Sequence, residues 1–352
     1  VSTGPVSKRR ILDLRGGGWV VALAILLSTG IFSWRVIQVL GSRGERAVGD
    51  GKNPATYGFD LSSAVVPAEE IVASGLPKDG IRAIQDPSIL TREQVDAQSR
   101  REKLLVSSDR VIGVVVGDQA RAYPIRILNW HEVINDTLDG RPIAVTYSPL
   151  CDAAVVFDRR VGGEVLRFGV SGLLYNSNLL MYDRRPDRGG ESLWSQLGFR
   201  AIAGPASGRR LDLLPIALIS WGEWRELHPA TTVLAPLPGL MDQYKADAYG
   251  SYFGTPKLRF PVRPAPPPDG LAPKTPIFAV RNDEGWVAAS IPAVVSYGGV
   301  GGGWGSVSVS AQTRADPQTV LVTTQPSTDV VYAFWFAWHA FHPETRLVIG
   351  AK

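Results

Sequence analysis

Between Arg121 and Gln196 the chain gathers most of the side chains able to do chemistry. His131, Cys151 and Met181 offer an imidazole, a thiolate and a thioether, a donor set suited to copper, although their spacing is unlike that of a cupredoxin. The same Cys151 with His131 is the residue pair of a nucleophile and its base, as in a hydrolase or transferase. The bland alternative is a buried, inert thiol, the commoner state of a lone cysteine. His131-Glu132-Val133-Ile134-Asn135 approaches the H-E-x-x-H of a zinc-binding helix. Asn135 stands where the second histidine would be, so the metalloprotease pattern fails. Residues Trp130–Thr137 then read as one or two helical turns terminated by Asn135 and Asp136, with His131 either functional or hydrogen-bonded within the core. Ser171, Asn176, Ser177 and Asn178 have the composition of an anion-binding loop and equally that of ordinary turns. Asp183, Arg184, Glu191 and Gln196 make either a polar site or a turn-stabilising salt-bridge network.

Short β-rich runs must position these groups. Val111–Val116 and Ala120–Ile127 read as strands across a Gly117-Asp118 turn, followed by strands at Ile143–Tyr147 and Leu179–Tyr182. Ala153–Asp158 and Val165–Val170 read as a hairpin across Val161-Gly162-Gly163. Thr91 with Gln94 is a capping box for a helix reaching Lys103, and Ser220–Leu227 is a short helix stopped at His228-Pro229. Pro276–Val280 and Trp286–Ile291 return to the strand–turn–strand arrangement. The fold class expected is α+β and β-rich. Trp224, His228, Pro229, Thr231 and Leu234 match Trp338, His342, Pro343, Thr345 and Val348 at constant spacing, so a duplicated scaffold is expected, with copies at about 111–234 and 276–348.

The amino-terminal part is of another kind. Gly16–Trp34 carries no charge, and about 20 apolar residues span a hydrocarbon core of roughly 30 Å. Lys8, Arg9, Arg10 and Arg15 precede this run, which places the amino terminus in the cytoplasm. The expected organisation is a basic tail at 1–17, a transmembrane anchor at 18–40, a spacer at 41–56 and an extramembrane domain at 57–352. A cleaved signal peptide is the rival reading. Ala24 and Ser28 form a small-xxx-small pair for contact with another membrane helix. The formal charge of +4, with Lys and Arg scattered, excludes a nucleic-acid footprint, and one cysteine excludes an intrachain disulfide.

G-D-x-x-R-A-Y-P, H-E-x-x-N-D, Y-S-P-L-C, F-G-V-S-G, N-S-N-L-x-M-Y-D-R, S-L-W-S-Q and F-A-W-x-A-F-H-P-x-T occur in that order. Together they resemble the domain-of-unknown-function family 3179 of bacteria and archaea, over about Tyr57 to Ile349. The resemblance implies no established activity. The family's usual motif is Y-C-P-L-C, whereas Ser148 stands at its first cysteine here, so a dithiol couple or a two-sulfur metal clamp is unavailable.

The expected function is that of a periplasmic-side accessory subunit, single-pass in the cytoplasmic membrane, in contact with the lipid bilayer. It would dock on an integral membrane complex such as a photosynthetic reaction centre–antenna or respiratory assembly. The alternatives are a copper or other metal protein using His131, Cys151 and Met181, and a Cys151/His131 hydrolase or transferase.

Overall fold

Arg110–Val116 and Gln119–Pro124 pair antiparallel across Gly117, whose φ of 54° suits a tight turn. Ile216–Ser220 adds antiparallel to the first of these strands, and Thr232–Leu234 adds parallel to the second. Between those two runs the helix Trp221–Leu227 opens with a capping box from Ser220 and Glu223. The helix lays Trp224 so close to Gly113 that a Cβ there would meet the indole at 2.2 Å. Ile89–Thr91 completes this five-stranded sheet, and Thr91 caps the helix Arg92–Glu102 through the expected box with Gln94.

The same arrangement occurs again. Pro276–Asn282 pairs with Gly285–Ser290, Val330–Phe334 adds antiparallel to the first, and Arg346–Val348 adds parallel to the second. The helix Trp335–Phe341 stands where Trp221–Leu227 stands. In both units the indole Nε1 donates to a threonine hydroxyl at 2.8 Å, Trp224 to Thr231 and Trp338 to Thr345. In both the histidine before proline lies beside the indole, with ring centroids 4.1 and 4.2 Å apart. Each HP segment is thus a stop that buries a tryptophan and turns the chain into a strand parallel to the second strand of its unit.

The computed structural model describes residues 48–186, 189–300, 302–313, 319–325 and 327–348. The expected tail, the anchor at 18–40 with Ala24 and Ser28, and the spacer up to residue 47 lie outside the described residues. Among the described residues no helix is long and apolar enough to cross a membrane. Packing begins before the expected boundary at Tyr57: Pro54–Tyr57 is a 3-10 turn, and the buried Tyr57 donates its hydroxyl to the Leu76 carbonyl at 2.6 Å.

The second unit extends a nine-stranded sheet. From its far edge the order is Ile84–Gln85, Val133–Leu138, Arg141–Ser148, Ala153–Asp158, then Val330–Phe334 and the rest of that unit, with Leu213–Leu214 also pairing to Ala153–Asp158. Alternation gives this sheet two buried faces. Ile134, Ile143, Val145 and Val156 enter one core, while Val133, Ala144, Val155 and Phe157 enter another. A five-stranded antiparallel sheet, Ile71–Ala73, Phe168–Tyr175, Asn178–Asp183, Leu193–Ser195 and Arg200–Ala203, contributes Phe168, Met181 and Trp194 to the second core. The architecture is β-rich α+β with short helices.

Two local expectations are corrected. The strand expected to run to Ile127 stops at Pro124, and a helix occupies Ile125–His131. Val165–Val170 does not pair with Ala153–Asp158. Instead Arg160–Val161 and Glu164–Val165 close a two-stranded hairpin of their own, and Phe168–Tyr175 joins the antiparallel sheet.

Candidate functional site

The expected helix across Trp130–Thr137 does not form. Ile125–His131 ends at Glu132, whose φ of 54° and ψ of −33° break the helix, and Val133–Leu138 continues as a strand paired with Arg141–Ser148. The β-branched Val133, Ile134 and Thr137 suit a strand, and Asp139-Gly140, both at positive φ, close the hairpin. His131 and Asn135 are therefore not one helical turn apart.

His131 is fixed at both nitrogens. Nδ1 lies 2.7 Å from the Arg82 carbonyl, which can only accept, so Nδ1 carries the proton. Nε2 then accepts from the Tyr244 hydroxyl at 2.7 Å, and desolvation lowers the imidazole pKa, favouring this neutral ring. Tyr244 belongs to the first core. Cys151 and Met181 lie fully buried in the second. The Cys151 thiol donates to the Ser177 carbonyl at 3.3 Å, and burial pushes its pKa up to about 12. A nucleophile–base hydrogen bond between Cys151 and His131 is therefore not made, because both imidazole nitrogens are engaged elsewhere. Among the described residues no group of three or more His, Cys, Asp or Glu is placed to hold a metal.

Most polar candidates act on the fold. Asn135 exchanges two 2.8 Å hydrogen bonds with the Phe168 backbone, joining the nine-stranded to the antiparallel sheet. Asp136 accepts from Arg121 at 2.5 Å and Tyr123 at 2.7 Å, a buried pair with its lone pairs satisfied. Ser171 Oγ donates to the Leu180 carbonyl at 2.6 Å and accepts from Leu173 N–H at 3.0 Å, repairing the bulge at Gly172. Asn178 donates to Gln196, and Gln196 donates to Thr146 and to the Ala153 carbonyl, so a polar chain runs beneath Cys151. Asp183 pairs with Arg185, Arg184 with Asp79, and Glu191 with Lys78. These last three are the salt-bridge network that stood as the alternative to a polar site.

Asn176 and Ser177 make a two-residue hairpin turn with φ of 51° and 60°. Their side chains face a covering segment. Asn176 donates to the Arg263 carbonyl at 3.0 Å and accepts from Arg263 N–H at 2.8 Å, and Ser177 donates to the Phe260 carbonyl at 2.8 Å. Tyr252 ties the same cover down by donating to the Leu150 carbonyl at 3.0 Å.

Under this cover lies a cavity of about 230 Å³. Its walls are largely aliphatic, with Leu150, Val170 and Leu179 among them, and Glu132 is part of the lining. Burial pushes the Glu132 carboxyl up to about 8, so at neutral pH it is mostly protonated. Tyr249 and Arg259 also line the space, and Arg259 lies over the rings of Tyr249 and Tyr252 at 5.9 and 4.9 Å. Of the sequence candidates only Glu132 lines this cavity. Tyr249, Tyr252 and Arg259 had no motif to mark them, because they reach the site through an irregular connection. The Arg110–Asp152–Tyr147 network was likewise missed. Arg110 meets Asp152 at 3.0 and 3.1 Å, and Tyr147 donates to Asp152 at 2.6 Å, although Asp152 directly follows the singled-out cysteine.

No curated protein and no solved structure matches the chain. A family model does, over residues 78–329, inside the range in which the motifs lie. Those residues hold the whole first unit, most of the lining of the covered cavity and the polar chain of Asn178 and Gln196. The chain belongs to the family described as Protein of unknown function (DUF3179).

Proposed function

We propose that this protein is a single-pass accessory subunit on the periplasmic side of the cytoplasmic membrane, docked on an integral membrane complex such as a reaction centre–antenna or respiratory assembly. The observation that carries the reading is the inward use of the motif side chains. Asn135, Asp136, Ser171, Asn176, Asn178 and Gln196 are all spent on hydrogen bonds within the body, and the thiol is sealed. Such a body is a rigid unit suited to being held in place, and the uncharged Gly16–Trp34 run supplies a tether. The two matching units are read as an internal duplication, with the polar chain grafted between the halves of the first.

The test is purification from native membranes in mild detergent. Co-elution with an integral membrane complex is expected, weakened by Ala24→Leu with Ser28→Leu while the body stays folded. Elution as a lone monomer would overturn the reading. A second reading, a small-molecule binding protein, is favoured by the cavity at Glu132. Native mass spectrometry detecting a stoichiometric ligand that Glu132→Ala releases would support it. The copper and Cys151/His131 readings draw no support from the geometry.

A further inference from the structure

A second pocket, of about 330 Å³, opens away from Glu132 and from the Cys151 chain. Three guanidinium groups line it, from Arg200, Arg210 and Arg281. Arg200 and Arg210 face each other across an isolated antiparallel bridge. Directly opposed side chains on such a pair start only about 5 Å apart, and like charges there are destabilising. Among the described residues neither arginine forms an ion pair or donates a side-chain hydrogen bond, and no carboxylate lines the pocket. Arg281 has one long contact, 3.5 Å to Asp329, and lies over Trp286 at 6.0 Å. Two further acids lie outside the lining: Glu70, whose charge bears on Tyr175 and which meets Arg263 at 3.9 Å, and Asp212, whose charge bears on Asp329.

The walls are aromatic. Trp286 and Tyr175 flank the pocket, and His342 lies within it with Nε2 spent on the Leu197 carbonyl at 2.9 Å. Desolvation first, then the charges of Arg200 and Arg281, hold the His342 pKa down to about 4, so both guanidiniums reach this space electrostatically. A folded chain that sets two arginines opposite one another with no acid for either, and adds a third whose acid lies 3.5 Å away, leaves positive charge that an anion would relieve. We propose that this pocket binds a phosphomonoester carrying a planar apolar body, the phosphate held by Arg200, Arg210 and Arg281 and the body lying against Trp286 and Tyr175.

The test uses the full chain in detergent, with inorganic phosphate and phenyl phosphate titrated calorimetrically. Phenyl phosphate is expected to bind, and more tightly than inorganic phosphate. Arg200→Gln with Arg210→Gln should weaken it at least about tenfold, as loss of charge-assisted hydrogen bonds does. Arg167→Gln, which removes one positive charge at an exposed ion pair with Asp86 as Arg281→Gln does in the pocket, should leave it unaltered. A cooperative melt of each variant establishes that it is folded, and Arg281→Gln alone supplies a second reading if the double variant is not. Short-chain phosphatidic acid is the competing arm: displacement assigns a lipid headgroup as the source of the phosphate, and failure to displace assigns a soluble one. No binding of phenyl phosphate to the folded wild type, or equal weakening by Arg167→Gln, overturns the proposal.

Discussion

Glu132 sits at a helix-to-strand junction in a backbone conformation that costs a non-glycine residue on the order of 1–3 kcal/mol, and it lines a largely aliphatic cavity. Its folded pKa, about 8, lies above the ordinary 4.5, so the folded state holds the proton more tightly than the unfolded state. The stability tied to that proton is complete below pH 4.5 and is lost as pH rises towards and through 8. Glu132→Gln keeps the shape and removes the titration. We expect the variant and the wild type to differ least in acid. The variant should gain relative stability up to about pH 8, by at most about 5 kcal/mol, in chemical denaturation series across pH. Parallel pH profiles for the two proteins would show that the carboxyl is not held protonated.

At the scale of elements, the Asn176-Ser177 turn does two jobs. It closes a hairpin with both residues at positive φ, and it clamps the segment that covers the cavity. Asn176→Gly tolerates the same backbone and deletes only the clamp. Hydrogen exchange at Arg263 N–H should then accelerate, reflecting a loss of about 1–2 kcal/mol of local protection, while the strands on either side stay protected. Unchanged exchange at Arg263 would mean that the cover is held by its other contacts.

The elements most legible in the sequence were those with local chemistry. The Thr91/Gln94 box, the Ser220–Leu227 stop at His228-Pro229 and the Gly117-Asp118 turn depend on neighbours in the chain, and each occurs where expected. The helix expected at Trp130–Thr137 failed because Val133–Leu138 is the first strand of a hairpin with Arg141–Ser148. The Asp139-Gly140 turn that closes that hairpin was the overlooked signal. The candidate site was legible only as a list of residues. Which of them meet depends on tertiary packing on the two faces of the sheet: Cys151, in a 3-10 turn, enters one core, and Tyr244, the helical partner of His131, enters the other.

For the whole molecule, the two matching units allow a paired experiment. Thr231→Val and Thr345→Val each remove the acceptor of a buried tryptophan N–H with little change of shape. Thr231 is buried and Thr345 half-buried, so water can substitute at the second. We expect losses of about 1–3 kcal/mol for Thr231→Val and less for Thr345→Val in urea denaturation. Equal and negligible losses would mean that these indoles do not depend on the threonines.

The pairing of Tyr332 with Ala154 ties the order of synthesis to the order of closure. Every residue of Ala153–Asp158 is buried in the finished protein, yet one side of that strand waits for Leu213–Leu214 and then for Val330–Phe334. A nascent chain released or stalled before Val330 therefore carries an open, apolar strand edge in the middle of its largest sheet. Such an edge pairs readily with another copy of itself. Shortened products of this gene should accumulate as aggregates, and production of the intact protein should depend on a chaperone that shields the edge until the last strands arrive.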